Sequence, residues 1–283
     1  MKSILVPIDF SATSINALHY AIAIAKKLRS SITLFNSFQV PITTGINTPP
    51  VEYIETLTEE REQDHKNRLQ KIIDDLEDPF YEDQSGKIQF VIQVLQGLAT
   101  DMIEEVSELE DFDMIIMGTS GASGFNEFLW GSITAHVMDR IHIPMMAIPE
   151  KAQFQGFRHL VYATDFQDQD IENIDYLKVF CELFDAELTI LHVNKDEKKA
   201  SLESKKLHQL EENYWFTPVS QLHFKLIKNK SAEKGLLTFL KENNIDLIAV
   251  MPQHRGFIEG IFHSSVCKRL TYHSDTPVLV MWH

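Results

Sequence analysis

The sequence predicts an α/β protein built as two repeated, doubly wound domains, each a parallel sheet covered by helices on both faces. Three observations predict it. Strand-like and helix-like segments alternate along the chain. The strand segments have few polar breaks, as strands buried on both faces do. The segments of one half also recur, in order, in the other.

The repeat is legible in four pairs. "ILVPIDFSATSINALHYAIAIAKKL" is echoed by "HLVYATDFQDQDIENIDYLKVFCELF", each a short apolar strand ending in Asp-Phe, a polar turn and an amphipathic helix. "SSITLFNS" matches "AELTILHV", "DFDMIIMG" matches "NIDLIAVM", and "IHIPMMAIPE" matches "SDTPVLVMWH". Domains at 1–150 and 156–283 follow, with "EKAQFQGFRH" read as a polar linker between them.

Within the first half, residues 3–9 read as a strand and 12–28 as a helix, its apolar positions being Ile15, Leu18, Ile22, Ile24 and Leu28. A second strand at 32–38 is followed by the Pro-, Thr- and Gly-rich loop "QVPITTGINTPPVEY". A charged helix at 57–76, a strand at 87–94, a helix at 99–109 and a strand at 113–117 come next. A helix after Ser132 and a strand at 144–148 complete the half. Strands near 159–164, 187–193, 222–227, 246–251 and 277–281 repeat the pattern. Right-handed crossovers between parallel strands then give a doubly wound sheet.

Composition narrows the partners. The chain of 283 residues carries a formal charge of −15, which disfavours nucleic acid, since neutralising phosphates needs clustered Lys and Arg. The charge is lopsided: residues 1–150 hold 10 Lys+Arg against 23 Asp+Glu, and residues 151–283 hold 16 against 18. Two cysteines, Cys181 and Cys267, suggest no disulfide framework. No apolar run approaches the roughly 20 residues of a membrane span, and "MKSILVPIDFS" reaches Pro and Asp too soon for a signal peptide. A soluble cytoplasmic protein is expected.

In such sheets ligands bind beyond the carboxyl ends of the strands, where strand order reverses. Two segments of the first half compete for that place: "VPIDFS" with Asp9, and the end of the fourth strand with Gly118. The stretch "GTSGASGFNEFLWGS" then sets glycines 118, 121, 124 and 131 between a strand and a helix. Backbone N–H groups of such a loop can converge on an anion, and Gly131-Ser132 opens a helix whose first N–H groups are unpaired. The Ser132 hydroxyl can cap that helix or bind a phosphate oxygen. Glycine loops after strands are also ordinary tight turns. The segment fits neither G-x-x-x-x-G-K-[ST] nor G-x-G-x-x-G.

Gly118, Gly121, Gly131 and Ser132 satisfy without gaps the pattern Gly, two residues, Gly, nine residues, Gly, Ser or Thr. With "ILVPIDFS" and "HIPMMAIP", they make the chain resemble the universal stress protein family, as a tandem of two such domains. The resemblance implies a five-stranded, Rossmann-like sheet of the adenine nucleotide alpha hydrolase type in each half, with ATP between the first and fourth strands of the first. It places Ile8 and Asp9 beside the adenosine, with Asp9 as acceptor, and Ser37 against adenine. It lays Gly118, Thr119, Gly121, Ser123 and Gly124 along the ribose and phosphates, and gives Gly131, Ser132 and Ile133 to a second phosphate cluster. AMP or ADP would share the adenosine contacts. Phe128, Leu129 and Trp130 read as packing. Ser120 and Ala122 stand where His and a basic residue are frequent in the family. Glu127 would oppose the phosphates if it faced them without Mg²⁺; pointing to solvent is the simpler reading.

The second half departs from the pattern. In "MPQHRGFIEGIFHSS", Pro252 replaces the first glycine and removes an N–H, and His263 stands where the late glycine would be. Asp165 remains at the first strand's end. This half is expected to pair with the first rather than bind ATP in the family manner. Arg255, Lys268 and Arg269 could meet another anion, although solvated charges are the commoner reading. His263 and Cys267 have i, i+4 spacing, but with His254 they leave a fourth ligand unidentified, so no metal site is assigned. The last strands "PMMAIP" and "PVLVMW" are expected at sheet edges, where the family pairs across a dimer; here they would pair within one chain as a pseudo-dimer, and further homodimerisation is left open.

No Ser-His-Asp spacing or paired carboxylates single out an enzyme, and no catalytic residue is assigned. The expectation is an ATP-binding stress-response regulator. A slow ATPase or autophosphorylating protein using the same pocket is the alternative, with Ser123 and Ser132 as acceptors, and a nucleotide-free interaction module is a third.

Overall fold

The computed structural model describes residues 3–40, 50–76, 88–119, 132–214, 221–252, 269–270 and 274–282. The first half runs β1 (Ser3–Pro7), α1 (Ala12–Leu28), β2 (Ser31–Phe38), α2 (Val51–Leu76), β3 (Phe90–Gln96), α3 (Ala99–Leu109), β4 (Met114–Gly118), α4 (Ser132–Arg140) and β5 (Met145–Ile148). The second runs β6 (His159–Ala163), α5 (Asp170–Phe184), β7 (Glu187–Asn194), α6 (Ala200–Glu212), β8 (Leu222–Lys228), α7 (Ala232–Asn243), β9 (Leu247–Val250) and β10 (Val278–Val280).

The ten strands of the described residues form one sheet in the order β3-β2-β1-β4-β5-β10-β9-β6-β7-β8. Each half is a five-stranded parallel sheet. Where the halves meet, β10 lies antiparallel to β5, with Leu279 opposite Met146. The two last strands are therefore edges of their own halves but the centre of the whole sheet.

Period-two side-chain alternation explains why the strands read as unbroken apolar runs. Ile4, Val6, Met114, Ile116, Met146 and Ile148 point into one apolar cluster, and Leu5, Ile115, Met117, Met145 and Ala147 into the other. The first cluster is roofed by α1, α2, α5 and α6, the second by α3, α4 and α7. Both halves thus share two continuous cores.

Element boundaries follow local chemistry. Ser11 caps α1 by accepting from the Ser14 N–H at 3.2 Å, and Arg29 ends it at φ 54°. Helix α2 starts at Val51, six residues before the sequence expectation, because Pro50 begins the helix rather than breaking it: its carbonyl accepts from the Tyr53 and Ile54 amides. Strand β3 runs on to Gln96 because Leu95 and Gln96 pair with Ser37 and Phe38. Cys181 is buried in α5, where burial pushes its thiol up to about 12 and keeps it protonated. Cys267 lies outside the described residues.

The connection between the halves is not the polar tether its composition suggests. Phe154 packs edge-on against Tyr20 of α1 at 5.0 Å, and Phe157 against Phe180 and Phe184 of α5 at 5.2 and 5.0 Å. Asn16 of α1 donates to the Ala152 carbonyl at 2.7 Å. The two phenylalanines, spaced three apart among polar residues, wedge the connection between one helix from each half.

Phe157→Ala is therefore expected to cost about 3–5 kcal/mol of unfolding free energy. The exposed Leu202→Ala should stay within about 0.5 kcal/mol. Urea unfolding followed by tryptophan fluorescence and by circular dichroism measures both.

Candidate nucleotide site

Strand order reverses between β1 and β4: the chain leaves β1 toward β2 and β3, then crosses to the other side for β4 and β5. A cavity of about 100 Å³ opens there, beyond the carboxyl ends of β1, β2 and β4. Ile8 and Asp9 enter it from β1, Asn36 and Ser37 from β2, and Met117 and Gly118 from β4. Helix starts close the rim, with Ser14 of α1, Ala99 of α3 and Ile133 and Thr134 of α4. Phe35, Ile103, Met117 and Ile133 give it apolar walls.

Asp9 is held by the turn that starts α1. Its Oδ1 accepts from the Ser11 amide at 3.0 Å and the Ser11 hydroxyl at 2.6 Å, while Phe10 between them takes a left-handed φ of 65°. One carboxylate oxygen thus anchors the helix start, and the side chain lines the cavity.

Gly118 is required by packing. A Cβ there would lie 2.7 Å from Thr13 Cγ2 and 3.0 Å from the Thr13 carbonyl carbon and oxygen, so α1 crosses the end of β4 against bare backbone. Its carbonyl accepts from the Thr134 hydroxyl at 2.9 Å, which ties the start of α4 to the end of β4. The Thr119 amide donates to the Ile148 carbonyl at 3.0 Å, which extends the pairing of β4 with β5 by one residue. Ser132 is the first residue of α4. Gly121, Ser123, Gly124 and Gly131 lie outside the described residues, as do Ser120, Ala122, Glu127 and Phe128 to Trp130.

Of the expected site residues, Ile8, Asp9, Ser37, Gly118 and Ile133 come together around this one cavity. Sequence reading missed Asn36, Ala99 and Ile103. The signal for Ala99 was available, because a doubly wound topology brings the segment after every strand to the same end of the sheet. Nothing in spacing marks Asn36.

The second half repeats the backbone but not the lining. Phe166 mirrors Phe10 at φ 59°, and the Thr164 amide bonds the Leu191 carbonyl as Ile8 bonds Phe35. That register puts Val193 where Ser37 stands. Val193 is 2 % exposed and lies against Gly235 of α7, where a Cβ would come within 2.8 Å of it. Pro252 is buried at the end of the fourth strand of this half. The acid that organises its first turn is Asp170, which accepts from the Tyr162 hydroxyl at 2.7 Å, the Thr164 hydroxyl and the Gln167 amide. Burial pushes the Asp170 carboxyl up despite those donors. Arg269 is paired with Glu233 at 3.0 Å. Arg255, Lys268, His254, His263 and Cys267 lie outside the described residues, and among those described no three His, Cys, Asp or Glu could hold a metal ion.

The fold is a doubly wound, Rossmann-like α/β architecture used twice in one chain, with this cavity at the switch point of the first half. A model of the universal stress protein family matches residues 1–149 and again 156–281, and the chain belongs to that family as a tandem, two-domain member. Universal stress protein MJ0577 of Methanocaldococcus jannaschii is 27% identical over 162 residues, covering 53% of this chain and 96% of the relative. Universal stress protein MJ0531 of the same organism is 26% identical over 147 residues, covering 52% and 81%. Each relative thus matches about half of this chain. A solved universal stress protein from Archaeoglobus fulgidus DSM 4304 aligns over 99% of this chain and 98% of its own, with a TM-score of 0.72 at 19% identity, a likeness of fold.

Gly118→Ala should destabilise the ligand-free protein by about 1–3 kcal/mol, because the Thr13 backbone cannot yield as a side-chain tip can; urea midpoints without nucleotide read this. A pH effect comes from His65 of α2. Burial first, then the Arg68 guanidinium, hold this imidazole below its ordinary value of 6.5. The unfolded chain therefore takes up a proton that folded His65 resists. Its contribution to stability is complete above pH 6.5 and is lost as pH falls toward the depressed folded value. The drop in urea midpoint between pH 7.5 and 5.5 should shrink in His65→Asn.

Proposed function

We propose that the protein is an adenine-nucleotide-binding regulator of the universal stress protein family, with ATP held by residues 1–150 and residues 156–283 acting as its paired, non-binding half. The observation that carries this reading is the convergence of Ile8, Asp9, Ser37, Gly118 and Ile133 on one cavity at the sheet's switch point. These are residues to which the glycine-signature resemblance gives nucleotide contacts.

The cavity suits the base end of the ligand. At about 100 Å³ it is below the ~300–1,000 Å³ of drug-sized sites, so it would take a flat ring and leave the ribose and phosphates outside. Phe35, Ile103 and Met117 offer apolar contact to that ring, Asp9 and Ser37 supply polar atoms, and Ile133 lies on the rim on the side of the phosphates. The tail would run toward the start of α4, where Ser132 and the backbone N–H groups of the first turn favour an anion. Mg²⁺ would arrive with the phosphates. Binding would order this end of the sheet and bias a partner surface, a switch rather than a turnover. The antiparallel β5–β10 seam supports pairing of the two domains within one chain.

Saturating ATP, at 100 times its Kd, should raise unfolding free energy by about 2.7 kcal/mol. Ser37→Val, which imports the second half's residue, should weaken ATP about tenfold or more without lowering ligand-free stability. Asp165→Ala should leave ATP affinity unchanged. Calorimetric titration and thermal unfolding measure these. A flat response in folded wild type overturns the reading and favours a nucleotide-free interaction module. Steady ADP release or stoichiometric phosphate on the protein from Mg-ATP would make it an enzyme.

A further inference from the structure

Asn36 sits in the middle of a two-bond relay. It is 6 % exposed and lines the cavity beside Ser37. Its Nδ2 donates to the Ile8 carbonyl at 2.6 Å, and its Oδ1 lies 2.5 Å from His65 Nδ1. The Ile8 carbonyl can only accept, so it fixes which end of the amide is the donor. Asn36 Oδ1 can only accept as well, so the His65 proton belongs on Nδ1. The imidazole is itself gripped: its ring is 5.8 Å from Phe10 and 5.4 Å from Phe38, and the Arg68 guanidinium lies 3.6 Å over Phe10. Helix α2 thereby reaches the cavity wall through two hydrogen bonds.

The second half contains the same bridge in different chemistry. His192 stands at the register of Asn36. Its Nδ1 lies 3.0 Å from the Thr164 carbonyl and its Nε2 3.1 Å from Glu203 of α6. In both halves a side chain on the second strand links the carbonyl just past the first strand to the helix that follows. The bridge is retained although none of its side chains is.

We propose that His65 is a positioning residue of the nucleotide cavity: its Nδ1–H keeps the Asn36 amide on the Ile8 carbonyl and so fixes the peptide from which Asp9 departs. In a trans peptide the C=O and the next N–H point in opposite directions. With the Ile8 carbonyl held toward β2, the Asp9 N–H is directed to the β4 side, where the cavity opens. Without the His65 bond, Asn36 Oδ1 would be a buried, unpaired acceptor, and the amide would turn to find a donor. The inference rests on the nucleotide reading above and deepens it by naming a residue outside the base pocket that sets its shape.

Two measurements test it on the full-length chain. In the ligand-free protein, nitrogen-15 NMR of the imidazoles should show His65 as the Nδ1–H tautomer; an Nε2–H tautomer overturns the proposal whether or not any nucleotide binds. In calorimetric titrations, His65→Leu should lose about tenfold in affinity, and by the same factor for AMP as for ATP, because the relay acts at the adenosine end. His65→Asn, whose amide can donate from near the Nδ1 position, should stay within about threefold of wild type. Wild-type affinity in a folded His65→Leu variant, or equal losses in the Leu and Asn variants, overturns the proposal and leaves the nucleotide reading standing. Wild-type protein that binds neither AMP nor ATP removes that reading, and the positioning role with it.

Discussion

The constraint on which the rest of the structure depends is that the central strands are covered on both faces. A strand such as Ile4–Val6, with neighbours on either side and helices above and below, offers no water to a polar group. Polar chemistry is pushed to the strand ends, where Asp9, Asn36 and Ser37 appear within a residue or two of each strand's carboxyl terminus. Helix starts gather at the same end, because every crossover enters its helix there. The cavity is what remains where two crossovers leave in opposite directions.

Most of this architecture was legible in the sequence, since burial on both faces writes itself as unbroken apolar runs. Helices 12–28 and 99–109 fall where their apolar periodicity puts them. The departures have local causes. Pro50 looked like loop but opens a helix. The segment joining the halves looked polar because Phe154 and Phe157 are only two residues among charged and amide side chains, although they do the packing. The site was legible where a residue type advertises itself, as Asp9 and Gly118 do. The reason for Gly118 was not, since its contact with Thr13 joins residues more than 100 positions apart. Asn36 and His65 were invisible because their importance lies in a pairing between a strand and a distant helix turn.

The two halves show which parts of the design are fixed by backbone geometry and which by side chains. The left-handed aromatic after the first strand occurs in both, at Phe10 and Phe166, as does the bridge from second strand to following helix. What differs is the lining. One half presents Ser37 to a cavity, and the other presents Val193 to the helix bearing Gly235. At this position a hydroxymethyl-to-isopropyl exchange, with a glycine to receive it, turns a cavity-lining residue into a core one while the strand register is kept.

The antiparallel meeting of β5 and β10 also releases the molecule from a rule that binds assemblies of identical subunits. When two copies of one polypeptide join across a two-fold axis, every substitution is imposed on both sides at once. Covalent fusion turns that axis into an approximate one. Serine can persist on one flank while valine occupies the matching place on the other, so each flank is free to specialise while sharing its partner's scaffold.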